Sequence, residues 1–406
     1  MLLPLPSGST IQPGDFLASG WGMRFATFNL ENLFARPRVL QLDTWKEGEP
    51  ILKAFAEFNS RIERVSYTQA NKDRMTELLL RLEVYRRENG VVRRNRIPNP
   101  KWAWLRANRG TFDVEHKDTG IEIVANSRFD WTGWLELAKE PVDEVTTNMT
   151  AQVLLDVNAD VQGVVEVEDR PSLDRFNKDL LGGHFAHVML IDGNDTRGID
   201  VGIMTSKDVE IVSMHSNVDV PDPWAANERL FSRDCAEYLC RLPSKKTVRV
   251  LLNHFKSQSG GGGEKRERQA TGVRKIVDQL VASGEKNLVV MGDLNEGPDG
   301  QGNPSKHFAA LYAPSSPLAD VFSLPAFKPG PKPGTFQSCS TTNKLDYIFV
   351  SKSLAPKVVG GGIERHGLWG DPSNKTPPKA WEIYPGIANS SEAASDHAVV
   401  FVDIDI

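Results

Sequence analysis

The chain has 406 residues, 40% hydrophobic and 25% charged, and no apolar run reaches the roughly 20 residues that a membrane-spanning helix needs. Its 48 Lys and Arg against 53 Asp and Glu give a formal charge of −5, so bulk charge draws no polyanion to the surface and any nucleic-acid contact has to be local. Three cysteines, Cys235, Cys240 and Cys339, are too few and odd in number for a disulfide framework, which fits a reducing compartment or a fold that needs no staples.

Residues 1–22 carry no Lys or Arg ahead of their apolar stretch, and prolines at 4, 6 and 13 interrupt it. No secretory signal is read there, so a loose extension and a cytoplasmic location are expected. Met23 precedes the alternating RFATFNL (24–30), and one domain is expected over 23–406.

Residues about 40–150 differ from the rest and read as a segment inserted into that domain. In NKDRMTELLLRLEVYRRENG (71–90), Met75, Leu78, Leu79 and Leu82 mark an apolar helix face. Arg86, Arg87, Arg93, Arg94 and Arg96 follow as a basic cluster, and Trp102, Trp104, Trp131 and Trp134 lie in a loop- or hairpin-like stretch. Either these aromatics pack on the main core beside solvated arginines, or the two groups together grip a nucleic-acid strand.

Short strands then recur: VQGVVEV (161–167), AHVMLI (186–191), DVGIMTS (200–206), VEIVSM (209–214), VRVLLNHF (248–255), NLVVMGD (287–293), LDYIFVS (345–351) and AVVFVDI (398–404). TGVRKIVDQLVASG (271–284) has helical spacing, with Val273, Ile276, Val277, Leu280 and Val281 on one face and Gly284 as its cap. SGGGG (259–263) with EKRER (264–268) reads as a mobile loop, whose Lys265, Arg266 and Arg268 either stay solvated or close over a phosphate chain. The alternation predicts an α/β fold, a mixed-sheet sandwich covered by helices rather than a regular parallel barrel.

Acidic and amide residues gather where these strands end. Asn29 and Glu31 leave the first strand, Glu166 and Glu168 another, and Asp293 and Asn295 stand two apart after NLVVM. Asp346 opens LDYIFVS, and Asp396 and His397 precede AVVFVDI. Each piece alone reads as an Asx turn or a structural histidine, but five at strand ends are hard to explain as turn chemistry. Oxygen donors without thiolates suit Mg²⁺, Mn²⁺ or Ca²⁺, and such a cation beside His254 and His397 suggests phosphate-ester hydrolysis.

TFNLENLF, VVEVED, RGIDVGIMTS, NHFKS, GDLNE, LDYIFVS and SDH resemble, in this order, the motifs of the endonuclease/exonuclease/phosphatase superfamily, which includes deoxyribonuclease I, apurinic/apyrimidinic endonucleases, bacterial sphingomyelinases and inositol polyphosphate 5-phosphatases. The resemblance covers residues 24–35 and about 155–405 and implies a four-layer α/β sandwich, two mixed β-sheets flanked by helices. It implies that Asn29 and Glu166 hold a metal, with Asp396 completing the metal or water network. Glu166 is preferred to Glu168 because Val165-Glu166-Val167 stands in place of the family's Gln-Glu-Val pattern.

By the same resemblance, Asp293 and Asn295 align the attacking water and bind the phosphate, directly or through a second cation. His397 contacts the scissile phosphate or shuttles a proton, oriented by Asp346. His254 holds the place where apurinic/apyrimidinic endonucleases carry a tyrosine. Arg197 either contacts phosphate or pairs with Asp200, and Lys256 divides the same way. Glu31 and Glu168 are further carboxylates of the set. One departure is the 135-position span from Glu31 to Glu166, where the family usually has little more than a helix.

The expected activity is a divalent-metal-dependent phosphodiesterase, a nuclease on DNA or RNA using in-line attack by water. The alternatives are a phosphatase or phosphodiesterase on a small or lipid-linked ester, and a non-catalytic nucleic-acid or protein binding module. The last is disfavoured because every motif position keeps its acidic, amide or imidazole side chain. No membrane and no obligate protein partner is expected.

Overall fold

The computed structural model describes residues 22–406 apart from 34, 41, 43–44, 98–99, 142–143, 196 and 259–260. The N-terminal extension, all but Gly22, lies outside the described residues. The chain divides into two compact units, residues 34–142 and the remainder. Among the described residues no helix is long and apolar enough to cross a membrane.

Strand β1 (Gly22–Leu33) belongs to the larger unit and leads into the smaller one. There β2 (Ala35–Pro37) pairs antiparallel with β9 (Lys139–Pro141), so the two ends of the smaller unit run side by side. Helices α1 (Trp45–Ile62) and α2 (Gln69–Arg81) follow β2. The hydroxyl of Thr68 accepts from the Asn71 N–H at 3.3 Å and caps α2, whose Met75, Leu78 and Leu79 are buried as the periodicity requires. The helix stops at Arg81, because Glu83 turns left-handed (φ +55°) into the hairpin β3 (Tyr85–Glu88) and β4 (Val91–Arg94). Two further pairs complete the unit, β5 (Ala103–Arg109) with β8 (Thr132–Leu137) and β6 (Asp113–His116) with β7 (Gly120–Ile123).

This segment has its own core, in which Phe58, Phe112 and Trp131 pack ring against ring. Trp102 and Trp131 are buried inside the unit, which corrects the expectation that they pack on the main core; Trp134 stays exposed. Nor are the arginines simply solvated: Arg94 pairs with Asp113, Arg96 with Glu115 and Arg86 with Glu88. Residues 34–142 hold 20 Lys and Arg against 16 Asp and Glu, a charge of +4, while the remainder of the chain carries −9.

The larger unit resumes with α3 (Glu144–Val157), β10 (Val161–Val167), α4 (Arg170–Asp179), β11 (His187–Ile191), β12 (Asp200–Thr205), β13 (Glu210–His215), β14 (Cys235–Arg241) and β15 (Thr247–His254). After α5 (Gly263–Ala282) come β16 (Leu288–Asp293), α6 (Ala309–Tyr312), β17 (Leu318–Asp320), β18 (Asp346–Ser351), β19 (Val358–Glu364) and β20 (Val399–Asp405). They form two six-stranded sheets, ordered β11-β12-β10-β1-β20-β19 and β13-β14-β15-β16-β18-β17. Both are mixed, since β1 with β10 and β15 with β16 run parallel and the other pairs antiparallel.

The facing sides of the sheets bury Phe25, Val165, Ile203 and Val402 against Tyr238, Leu252, Met291 and Ile348. Gly163 sits at this interface, where a Cβ would come within 2.6 Å of Leu252 Cδ2. On the outer faces, Leu154 of α3 and Phe176 of α4 cover the first sheet, and Val273 and Val277 of α5 cover the second. The order helix, sheet, sheet, helix is the four-layer α/β sandwich expected from the sequence.

The EKRER stretch is not loop but the opening of α5. Lys265 pairs with Asp222 and Glu228, Arg268 with Asp222, and Arg266 with Glu296, so these cations are held by carboxylates rather than poised over a phosphate. Of the glycine run, 259–260 lie outside the described residues. All three cysteines are free and buried.

Candidate active site

Register places the site. In the second sheet, parallel pairing sets His254 beside Asp293, and antiparallel pairing sets Asp293 beside Asp346. Gly292 permits that proximity: at φ +136°, a Cβ there would lie 1.9 Å from the Asn253 carbonyl oxygen. In the first sheet, Asn29 lies beside Val165, and a bulge at the next residue of β10 turns Glu166 out of the ladder. The side chains of the two sheets meet where Asn29 Nδ2 donates to Asp293 Oδ2 at 3.2 Å.

Around that bond, Asn295 donates to Asp293 twice, from its backbone N–H to Oδ1 (2.8 Å) and from Nδ2 to Oδ2 (3.0 Å). His254 Nε2 lies 3.7 Å from both Glu166 Oε1 and Asp293 Oδ2. His397 Nε2 lies 3.9 Å from Asp293 Oδ2 and 3.8 Å from Asp396 Oδ1, while its Nδ1 is 2.8 Å from Asp346 Oδ2. The Ser395 hydroxyl donates to the Asn29 carbonyl (2.7 Å) and accepts from the His397 N–H (2.9 Å), tying the SDH turn to β1. Glu31 joins the group by accepting the Asp396 N–H at 2.8 Å.

Glu31, Glu166 and Asn295 all adopt left-handed backbone, at φ +49°, +64° and +53°. That conformation is costly for glutamate, and such strain gathers where a side chain must be aimed.

Charge is crowded here. Burial pushes the Asp293 carboxyl up to about 7, helped by Asp346 and Glu166. Burial and the neighbouring Asp396 do the same to Glu31, also to about 7, although its side chain stays at the rim. Glu166 and Asp396 are raised as well, by burial first. Burial holds His254 well below the ordinary histidine value, with the Arg233 charge adding to it, so this imidazole is neutral. Burial opposes charge on His397 too, but Asp346 and Asp293 more than offset it and hold its pKa well above the ordinary value.

The remaining residues sit further out. Arg197 is exposed and pairs with Asp195 at 3.0 Å, not with Asp200. Asp200 is buried and accepts the Gly193 N–H at 2.7 Å, which orders the loop carrying Arg197. Lys256 is fixed through its backbone, its N–H donating to Gln269 at 2.9 Å. Glu168 is half-buried and donates its N–H to the Leu33 carbonyl, just ahead of α4.

Sequence reasoning missed two neighbours. Arg233 is buried, with Nε 2.9 Å from Asp195 Oδ2 and an Nη donating to the Phe255 carbonyl at 3.1 Å. Phe336 lays its ring 4.8 Å from that of His397. Both stand in loops, and a loop residue has no strand alternation to announce which way it points.

The sequence profile of the Endonuclease/Exonuclease/phosphatase family matches residues 112–358, more than half of the chain. The chain belongs to the endonuclease/exonuclease/phosphatase family. Members of this family hydrolyse phosphate esters. The matched span contains Glu166, His254, Asp293, Asn295 and Asp346, whereas Asn29, Asp396 and His397 lie outside it.

Similar solved structures include a family protein from Bacteroides thetaiotaomicron (17% identity, covering 64% of this chain and 88% of that chain, TM-score 0.46). A mannosyl-6-phosphatase of the same organism is 18% identical, covering 63% of this chain and 89% of that one, with a TM-score of 0.46. The human nocturnin catalytic domain is 15% identical, covering 64% and 86%, also with a TM-score of 0.46. No curated protein matches the chain.

Proposed function

We propose that this family member is a divalent-cation-dependent phosphodiesterase, a nuclease acting on DNA or RNA. The observation that carries the reading is the pairing of opposite demands in one buried cluster. Glu31, Glu166 and Asp396 crowd together at one side, and on the other a charged His397 stands near a neutral His254.

The donor set fits a hard cation. It consists of carboxylate and amide oxygens with no thiolate, and its carboxylates raise one another's pKa, as like charges do when no cation balances them. Asp293, Asp346 and His397 also offer ligand atoms within 4.8 Å of one another. Asp346 Oδ2, however, is engaged by the His397 imidazole, so Glu166, Asn29, Asp396 and Glu31 are the better cage. A Mg²⁺ or Mn²⁺ held there supplies neutralisation of phosphoryl charge.

The chain's own residues do the rest. Asp293, fixed by Asn29 and both donors of Asn295, orients the attacking water and takes its proton. The His397 imidazolium, its Nδ1–H held by Asp346, donates from Nε2 to a phosphoryl oxygen. His254, neutral and buried, adds an uncharged ring nitrogen beside Glu166 and Asp293. Arg197 meets the phosphate chain at the rim, where a guanidinium matches two phosphate oxygens. Fixed dipoles and charges of this kind lower the barrier because they need not reorganise during the reaction.

A second reading, hydrolysis of a small phosphate ester, is favoured by a cavity of about 310 Å³ that opens beside Glu31 and Asp396. Supercoiled plasmid, single-stranded DNA, RNA and bis-p-nitrophenyl phosphate, each with Mg²⁺, Mn²⁺ or EDTA, separate the readings. Metal-dependent nicking that disappears in Asp293→Ala/His397→Ala is the expected result. Cleavage of the small ester alone would favour the second reading, and inertness on all four would overturn both and leave a binding module.

A further inference from the structure

Between β19 and β20 the chain runs through residues 365–398 with one 3-10 turn (Ser390–Glu392) as its regular structure. Connections beyond roughly 12–15 residues without structure of their own are uncommon and tend to be functional. This one is firmly built. Buried Arg365 donates to the carbonyls of Pro329, Lys332 and Gly334 at 2.8, 2.6 and 2.9 Å. Trp381 Nε1 donates to the Leu368 carbonyl at 2.9 Å, and the Tyr384 hydroxyl to Asp156 at 2.6 Å.

The cavity of about 310 Å³ lies between this loop and the carboxylates Glu31 and Asp396. Trp369 and Pro372 give it an apolar wall, and Gln337 and Ser390 give it polar ones. Gln337 is the unusual member. Its backbone is left-handed (φ +42°), and its N–H donates to the Asp396 carbonyl at 2.8 Å. Its side-chain amide has no hydrogen-bond partner among the described residues, so a donor and an acceptor face the cavity unused.

We propose that this cavity seats the group esterified to the scissile phosphate, and that Gln337 selects a hydroxylated sugar ring there. The inference rests on phosphoester hydrolysis at the Glu166, Asp293 and His397 cluster. A sugar fits both walls: its hydroxyls need a group that both donates and accepts, as an amide does, and its C–H face packs on Trp369. The volume stands at the small end for ligand pockets, enough for one ring and not for a duplex or a long acyl chain. The ring can belong to a nucleotide or to a free sugar phosphate.

Three p-nitrophenyl phosphodiesters with the same leaving group, carrying methyl, 6-glucosyl or 5′-thymidyl on the other side, test this with the metal-loaded full chain. Both sugar esters are expected to exceed the methyl ester in kcat/KM by about tenfold or more. That ratio should collapse in Gln337→Gly, which keeps the left-handed turn, and in Ser390→Trp, which fills the cavity. The better sugar ester identifies the source of the ring. Equal turnover of all three esters, or a preference that survives both substitutions, overturns the pocket and leaves the proposed function standing. If no ester is cleaved, the proposed function falls, and calorimetric titration with thymidine 5′-monophosphate and glucose 6-phosphate judges the pocket alone. Binding that Ser390→Trp abolishes supports it, and no binding to the wild type overturns it.

Discussion

His397 is held between two buried aspartates, with Nδ1 2.8 Å from Asp346 Oδ2 and Nε2 3.9 Å from Asp293 Oδ2. The Asp346 backbone is fixed in turn by its N–H to Thr335 Oγ1 at 3.1 Å. The first contact sets the tautomer and stabilises the charged ring, so Nε2 presents a proton. Asp346→Asn keeps the shape and loses both effects, and turnover of bis-p-nitrophenyl phosphate should fall about 10²- to 10⁴-fold. A loss below tenfold, with folding confirmed by the melting temperature, would remove Asp346 from the mechanism.

Glu166 combines left-handed backbone with a carboxyl whose burial disfavours its charge. Both are costs in the absence of ligand. Glu166→Asn places a residue that tolerates this backbone and removes the charge, and it should raise the metal-free melting temperature by the equivalent of about 1 kcal/mol. The same change should remove most activity. A variant both less stable and fully active would contradict the assignment of strain to function.

Arg233 holds a guanidinium in the interior against Asp195 and the Phe255 carbonyl. That carbonyl also accepts from Asn295 Nδ2 at 3.3 Å, which links the arginine to the site. Arg233→Met leaves the carbonyl and much of Asp195 without their partner, and urea unfolding should show a loss of about 3 kcal/mol. A change within about 0.5 kcal/mol, typical of a surface position, would show that the buried pair contributes little.

Burial, with lesser help from Asp192, Asp195 and Asp234, pushes the Asp200 carboxyl up to about 6, above its ordinary 3.8. The folded chain therefore holds this proton more tightly than the unfolded chain. The resulting stabilisation is complete below pH about 4 and is lost as pH rises through about 6. Asp200→Asn keeps the acceptor for Gly193 and cannot ionise, so it should match wild type near pH 4 and exceed it by about 2 kcal/mol at pH 8. Parallel stability curves for the two proteins would refute the elevated pKa.

Strands with β-branched apolar runs could be read closely, as VQGVVEV matches β10 (Val161–Val167) and LDYIFVS matches β18 but for its leucine. With them came the strand ends that carry Asn29, Glu166, Asp293 and Asp346. Other elements broke the pattern for local reasons. In β19 three successive glycines lower strand propensity, yet at Gly361 a Cβ would come within 2.8 Å of the Phe327 ring and the Phe401 carbonyl. In β14 the charge of Glu237 interrupts the apolar run, and its partners, Asn217 and Arg249, lie outside that strand. Gln337 and Arg233 reach their places through loops packed by distant residues, which no local window contains.

The pairing of Ala35–Pro37 with Lys139–Pro141 has a consequence for the history of this enzyme. A segment whose ends run side by side occupies, topologically, the place of a turn: it can be gained, lost or exchanged whole without rethreading the strands on either side. The basic, separately cored residues 34–142 are thus free to change at a pace of their own, while the acidic catalytic sandwich stays bound to its chemistry.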